Sequence, residues 1–597
     1  MESSTASRAA VEATTIADAF RRTVDAHGDE VAFRTGDDAV SLTWARARDR
    51  VDAIAGGLAD LGVGPGDCVA LLLSNRPEFH ICDLGVMTLR ATPFSIYNTY
   101  SPEQIAYVVS DAEARVAITE AALLDGLLEA RKELAHLEHI VVVDGDAPDG
   151  GLTLADLEAR GAGFDGGAAA AEVEPEDVLT LIYTSGTTGP PKGVQLVHRN
   201  MLTGVQATQQ LIQLDPGARV ISWLPAAHIA ERAAHHYLPI VFAAQVTTCD
   251  DPREIVQFLP RVRPNWFFAV PRIWEKLKAG LESMLGAQPP EQRDKVRGAL
   301  DAAIEKVRLQ QRGEEVPAEL AERVAWADAE LFSNLRAMLG LDQVVTVNVG
   351  AAPTPPEVLE FFHAIGVELA ELWGMSETCG MGAVNPPGRV KIGTVGPPAP
   401  LVEMKLADDG ELLVRSDCVM VGYRNMPEQT REALDDDGWL HTGDIGEFDD
   451  DGYLKIVDRK KEIIINAAGK NMSPAHIESC LKSAGPLIGQ AAVIGDRRSY
   501  NTALVVLDAD GAPAWAREHG IEADSLEELA RRDDVREAVE AEVEAANRHL
   551  ARVEQIKTFH IVPGDWAPGG DELTPTMKLK RRPIGEKYAE AIESMYA

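Results

Sequence analysis

One stretch of this 597-residue chain concentrates groups that bind anions. Tyr183-Thr184-Ser185-Gly186-Thr187-Thr188-Gly189-Pro190-Pro191-Lys192-Gly193-Val194 directly follows an apolar run. Glycines let the backbone turn tightly and bring its N–H groups to an anion. The hydroxyls of Thr184, Ser185, Thr187 and Thr188 can donate to phosphate oxygens, and Lys192 supplies charge. It is not a Walker loop, because Lys192 stands between Pro191 and Gly193, where GxxxxGK[ST] needs Gly and Ser/Thr. A P-loop kinase or ATPase is therefore disfavoured. No comparable metal or disulfide chemistry stands out. Cys68, Cys82, Cys249, Cys379, Cys418 and Cys480 are scattered, with no CxxC and no clustered histidines, and read as reduced thiols. The default location is the cytoplasm.

The elements that must position such a loop read as α/β layers. Apolar runs at 69–73, 114–118, 139–143 and 178–183 have buried-strand character and alternate with longer helical stretches, which predicts parallel sheets. A charged insertion over about 280–341 carries Val296, Leu300, Ile304 and Val307 at helical spacing and is expected to form a helical hairpin. Residues 161–171 read as a linker or loose loop. Beyond Asp444 the texture changes. A turn at Asp449-Asp450-Asp451-Gly452 precedes a strand at 453–457 and the basic cluster Arg459-Lys460-Lys461. The boundary is placed there, giving domains 1–458 and 459–597. The second contains an amphipathic helix marked by Val535, Val539, Val543 and Leu550. The expected fold is a large N-terminal domain of layered α/β subdomains plus a small, mobile α+β C-terminal domain.

Bulk properties set limits. The length suggests roughly three or four core-sized units, and 45% hydrophobic with 25% charged residues suits a globular protein. No apolar run approaches the roughly 18 residues of a transmembrane helix. The polar segment Met1–Thr15 lacks the pattern of a secretory signal. A net charge of −37 argues against nucleic-acid binding and a basic membrane-docking face. Polyanionic substrates would have to meet local Lys and Arg against that field. The acidity otherwise reads as a solvated surface, with salt adaptation left open.

The phosphate string resembles that of the adenylate-forming superfamily of acyl-CoA synthetases, luciferases and peptide-synthetase adenylation domains. Four further motifs follow in that family's order: Trp373-Gly374-Met375-Ser376-Glu377-Thr378, Gly438-Trp439-Leu440-His441-Thr442-Gly443-Asp444, Asp458-Arg459-Lys460-Lys461-Glu462 and Thr574-Pro575-Thr576-Met577-Lys578-Leu579-Lys580-Arg581. The resemblance spans nearly the whole chain. It implies that a carboxylate is joined to the α-phosphate of ATP with loss of pyrophosphate, and that the acyl group then passes to CoA.

The same resemblance assigns roles. Glu377 would hold a Mg²⁺ bridging phosphate oxygens, with Ser376 bonding phosphate. Trp373 and Gly374 would lie by adenine, as would the turn Gly350-Ala351-Ala352-Pro353, which departs mildly from the family's Gly-Gly pair. Asp444 would accept from both ribose hydroxyls, since both carboxylate oxygens are acceptors. Arg459 would contact the same region. Lys578 would bridge the fatty carboxylate and the α-phosphate, although Met577 replaces the usual preceding glycine and Lys580 is a rival. Lys461 would be the pivot of a domain rotation that opens a thiol tunnel lined at Gly469. His228, in Trp223-Leu224-Pro225-Ala226-Ala227-His228-Ile229-Ala230-Glu231-Arg232, would line or gate the acyl/CoA junction rather than act as a base. His198, His235 and His236 are weaker candidates.

The segment Phe267-Phe268-Ala269-Val270-Pro271-Arg272-Ile273-Trp274-Glu275-Lys276-Leu277, the helical insertion after it and the lengthened C-terminal stretch around 537–549 resemble long-chain synthetases. Residues 226–243 read as apolar and aromatic enough to wall an acyl tunnel. The expected partners are a long-chain fatty acid, ATP and CoA, with no nucleic acid; peripheral membrane contact and oligomeric state stay open. The competing readings are a fatty acyl-AMP ligase that loads a carrier protein and a catalytically silent acyl- or nucleotide-binding protein.

Overall fold

The computed structural model describes residues 10–184, 190–466, 471–575 and 577–596. Every residue of Cys68–Leu72 is buried, as a strand covered on both faces requires. It pairs in parallel with Thr92–Ser95 and with Val116–Thr119, and His139–Val142 and Leu152–Thr153 complete a five-stranded parallel sheet. A second sheet sets Arg219–Ser222, Gln245–Thr248 and Val31–Thr35 in parallel, with Ser41–Thr43 antiparallel at the edge. In a third, Trp266–Ala269, Thr346–Val349 and Leu369–Trp373 are parallel and Ala383–Val384 is antiparallel.

Three expectations are corrected. Val178–Thr184 does not belong to a parallel sheet; it pairs antiparallel with Lys192–Val197, to which Gly422–Tyr423 adds. The connection through 185–191 is too short for a parallel crossover, which needs about a dozen residues or more. The supposed loose loop contains the helix Gly166–Ala171, capped by the Asp165 carboxylate on Ala168 N. Its small residues serve close packing: a Cβ on Gly161 would fall 1.9 Å from the Ala53 carbonyl. The insertion is more than a hairpin. Pro271–Gly286, Pro290–Gln311 and Ala318–Ala327 follow one another, and a π-helical stretch Asp328–Phe332 leads into Ser333–Leu339. Val296 and Val307 are buried, and Pro290–Gln311 packs on Pro356–Ala364.

Leu440–Phe448 and Leu454–Arg459 form an antiparallel hairpin in a sheet with Glu403–Leu406 and Glu411–Arg415. After it come the small pair Ile464–Ile465 and Asn471–Met472 and a sheet of Ile488–Ile494, Asn501–Leu507 and Ile556–Ile561. The helix Asp533–Asn547 buries Val535, Val539 and Val543; Leu550 is buried just beyond its end. The hydrophobic cores separate cleanly. Those of the first part hold no buried residue after Leu454, and the two of the last part begin at Ile464. Among the described residues, no helix is long and apolar enough to cross a membrane.

Candidate active site

Asp444 lies in the strand Leu440–Phe448 directly opposite Arg459 of the neighbouring strand. That register places the Arg459 Nε 2.6 Å from Asp444 Oδ1. The other oxygen, Oδ2, accepts a 2.8 Å hydrogen bond from the Trp373 indole N–H, delivered from the end of a different sheet. Asp444 is almost fully buried. Burial pushes its carboxyl above the usual range, against the pull of Arg459 and the indole. Gly382 lies against the Trp373 ring, where a Cβ would come within 2.6 Å. Gly374 is needed for a close approach, since a Cβ there would lie 2.1 Å from the Gly380 carbonyl.

Glu377 sits in the short turn Ser376–Thr378. Its Oε1 accepts from the Tyr423 hydroxyl at 2.8 Å, and its backbone carbonyl accepts from Met420 N. The Lys192 ammonium lies 4.7 Å from the centroid of the Tyr423 ring. Tyr423 was not anticipated from sequence. It reaches this place because Gly422–Tyr423 pairs with the strand that Lys192 begins. Burial and the Glu377 charge raise the phenol, so it stays a donor.

Glu371 was also missed. It interrupts the apolar strand Leu369–Trp373, its Oε1 accepts from Thr354 N at 3.3 Å, and burial raises its carboxyl to about 7. An acid inside an apolar strand was the signal available. Thr354 closes the turn Gly350-Ala351-Ala352-Pro353, in which Ala351 holds a left-handed φ of 70°. A Cβ on Gly350 would meet Leu372 at 2.9 Å.

Lys578 enters from the C-terminal part of the chain. A tight turn presents it: Met577 N donates to Thr574 O, Lys578 N to Thr574 Oγ1, and Thr574 N to Lys578 O. Met577 adopts φ 64°, so the glycine it replaces has a conformational meaning. Lys578 is exposed by surface area, yet its ammonium faces groups of both parts of the chain. Desolvation there and the nearby Arg459 lower its pKa, while Asp444, Glu377 and Glu462 oppose the shift. The rival Lys580 donates to the Gly570 carbonyl at 2.7 Å within its own unit.

His228 Nδ1 accepts from Ala230 N at 3.1 Å, which in the neutral ring leaves the proton on Nε2. Burial and the Lys578 charge lower its pKa to about 4. The other histidines are not brought to this cleft. His198 Nδ1 accepts from Ile16 N, His235 pairs with Glu231 at 2.6 Å, and His236 lies 3.0 Å from both Asp83 and His80. With the fully buried Arg232–Asp83 pair at 2.7 Å, these residues make segment 226–243 partly polar inside the core, not a purely apolar wall.

Lys461 is exposed in the turn after Arg459. Its neighbour Lys460 is tied to Asp409 at 2.5 Å and Glu411 at 2.9 Å. Of the remaining expected residues, Thr184 ends its strand opposite Lys192 and Ser376 is half-buried beside Glu377. Ser185, Gly186, Thr187, Thr188, Gly189 and Gly469 lie outside the described residues.

A buried carboxylate clamped by an arginine and an indole, a second carboxylate held by a phenol, and a lysine close enough to feel both charges can gather anionic substrates in one cleft. A family model described as AMP-binding enzyme matches residues 20–424, and one described as AMP-binding enzyme C-terminal domain matches 461–597. The chain is 48% identical over 451 residues to the putative fatty-acid–CoA ligase fadD11 of Mycobacterium tuberculosis, covering 75% of this chain and 79% of that protein. It is 35% identical over 567 residues to the long-chain-fatty-acid–CoA ligase FadD15 of Mycobacterium bovis, covering 93% and 92%. Among solved structures, the adenylation domain of a carboxylate reductase from Mycobacterium chelonae matches with a TM-score of 0.78 at 19% identity, over 99% of this chain and 93% of that one. That last likeness concerns the fold.

Proposed function

The chain belongs to the AMP-binding enzyme family, and from that premise we propose that it activates a long-chain fatty acid with ATP and transfers the acyl group to CoA. The observation that carries the reading is the Asp444 carboxylate held by Arg459 and Trp373, with Lys578 of the separately cored C-terminal unit within electrostatic range of it and of Glu377. We place the boundary between those units at Asp458–Arg459.

In the first step a fatty carboxylate oxygen attacks the α-phosphorus, the bond to the β-phosphate bridging oxygen breaks, and pyrophosphate leaves. Two anions must approach each other, so the residues have to neutralise charge and fix geometry in advance. Lys578 supplies a cation to both. Asp444 holds the ribose, with its orientation fixed by Trp373 and Arg459. Lys192 and the hydroxyl- and glycine-rich stretch before it would take the terminal phosphates.

Glu377 fits a Mg²⁺. Tyr423 engages one oxygen and leaves Oε2 for a cation, and no group of three or more metal-ligating side chains occurs among the described residues. Mg²⁺ is commonly held by one or two carboxylates together with substrate phosphates. When bound there it would supply charge neutralisation on phosphate oxygens.

In the second step the CoA sulfur attacks the acyl carbon, AMP departs, and the thiol proton passes to water. Rotation of the C-terminal unit about Lys461 would exchange Lys578 for a thiol path. His228, neutral and with Nε2–H as donor, suits holding the acyl oxygen rather than taking the proton. The free cysteines suit a reducing compartment such as the cytoplasm.

Fatty-acid-dependent pyrophosphate release tests the enzyme against a silent binder. Consumption of CoA, rather than of a carrier protein's thiol, tests the second step. A panel of acids from acetate to C20 sets the acyl length; no pyrophosphate with any acid would sink the reading.

A further inference from the structure

The segment Phe267–Leu277 was marked by sequence, and the chemistry above does not use it. Its helix, Pro271–Gly286, carries Arg272 at its second position and Lys276 one turn on. Spaced i and i+4, the two share a face. Cations in the first turns of a helix oppose its macrodipole, and within the helix Arg272 has only Glu275, at 3.5 Å, to answer it. Arg272 Nη2 is hydrogen-bonded to Asp508 Oδ2, and Lys276 Nζ lies 3.0 Å from Asp510 Oδ2. Both acids belong to the C-terminal unit.

Asp508 is fixed on its own side. Its Oδ1 accepts from Gly511 N at 2.7 Å and Asp510 N at 3.0 Å at the start of the helix Gly511–Glu518, which leaves Oδ2 for Arg272. Burial raises its carboxyl, but Arg272 and those amides outweigh burial and hold it below the usual range. The two units also meet where Gly569 lies against Thr99, whose Oγ1 is 2.9 Å from where a Cβ would stand. The C-terminal unit is thus seated on the N-terminal one by an electrostatic pair at one side while Lys578 enters the cleft.

Resting on the two-step reading, we propose that Arg272 and Lys276 with Asp508 and Asp510 form a latch that positions the C-terminal unit for acyl-AMP formation. They are positioning residues and touch no substrate. Rotation about Lys461 carries Asp508 and Asp510 away from the helix, so the latch favours the first step and opposes the second. A ligand or contact can shift two arrangements only by what differs between them, and these ion pairs exist in one of them.

The test is quenched flow with labelled fatty acid on the whole chain, following acyl-AMP and acyl-CoA separately, with transfer from supplied acyl-AMP measured alongside. Arg272→Gln/Lys276→Gln should slow acyl-AMP formation by about five- to tenfold and leave transfer to CoA unchanged or faster, since a partly exposed pair of ion pairs is worth about that factor. Lys276→Glu should behave alike, and Lys276→Glu/Asp510→Lys should restore the first step, which a merely structural role would not predict. Equal slowing of both steps, no change in either, or no rescue by the charge swap would overturn the latch. If the unaltered chain releases no pyrophosphate with any fatty acid, the function itself is wrong and the latch falls with it.

Discussion

The Trp373 indole N–H donates to Asp444 Oδ2 at 2.8 Å, joining two sheets at the floor of the cleft. The family motif suggests an aromatic face for adenine; the structure adds that the ring's edge orients the Asp444 carboxylate. Trp373→Phe keeps the face and removes the donor. It should raise KM for ATP by about five- to tenfold with a small effect on kcat, as loss of one hydrogen bond to a charged group would. Steady-state kinetics at saturating fatty acid reads this directly.

Lys578→Ala should abolish acyl-AMP formation while still permitting transfer from supplied acyl-AMP to CoA. Activity lost in Lys580→Ala but kept in Lys578→Ala would move the role. Lys580 is bonded to the Gly570 carbonyl, so its loss should instead cost stability.

Met577, at φ 64° and half out in solvent, should tolerate glycine better than any side chain. Met577→Gly is expected to stabilise the C-terminal unit by roughly 0.5–1 kcal/mol, the relief of left-handed strain less the added freedom of the unfolded chain. Met577→Val should do the reverse and slow acyl-AMP formation, because a β-branched residue resists that φ. Thermal melts and quenched flow check the pair.

Tyr423→Phe frees Glu377 Oε1 and keeps the ring beneath Lys192. Acyl-AMP formation should fall by about tenfold with a higher Mg²⁺ requirement, and Glu377→Gln should fall further. A Mg²⁺ titration unchanged in both variants would refute the metal role of Glu377.

Glu542 gives a pH signature. Its Oε1 accepts from Leu487 N at 3.0 Å, Oε2 is buried without a partner, and burial raises its carboxyl from 4.5 to about 7. The folded group holds its proton more tightly than the unfolded one. Its contribution is complete below pH 4.5 and is lost as pH rises to about 7. Glu542→Gln should match the wild type near pH 4.5 and exceed it by roughly 1–3 kcal/mol at pH 8, in denaturant melts at both values.

Much of this architecture was legible because phosphate and ribose chemistry needs contiguous residues. Asp444, Glu377 and Lys578 each sit inside a string that identifies itself. Tyr423 and Glu371 do not; their partners lie 46 and 17 residues away, and only strand pairing and loop closure bring them together. The replacement of glycine by Met577 was visible, but its left-handed backbone was not. The antiparallel pairing of Val178–Thr184 was implicit in the short connection to Lys192. The small residues of 161–171 misled because glycine and alanine mark both loose chain and the tightest helix contacts, here Gly161 against Ala53 and Gly57.

The division of the apolar interior at residues 454–464 bears on how this protein comes apart. Two units whose cores share no buried side chain have no hydrophobic reason to melt together, and the ion pairs between them are too weak to enforce it. Calorimetry should therefore resolve two endotherms, the smaller from residues 464 onward. If Asp444 and Lys578 hold the adenylate as proposed, a non-hydrolysable acyl-adenylate should draw them toward a single transition. For this chain a lone melting temperature would measure the occupancy of its cleft as much as the strength of its fold.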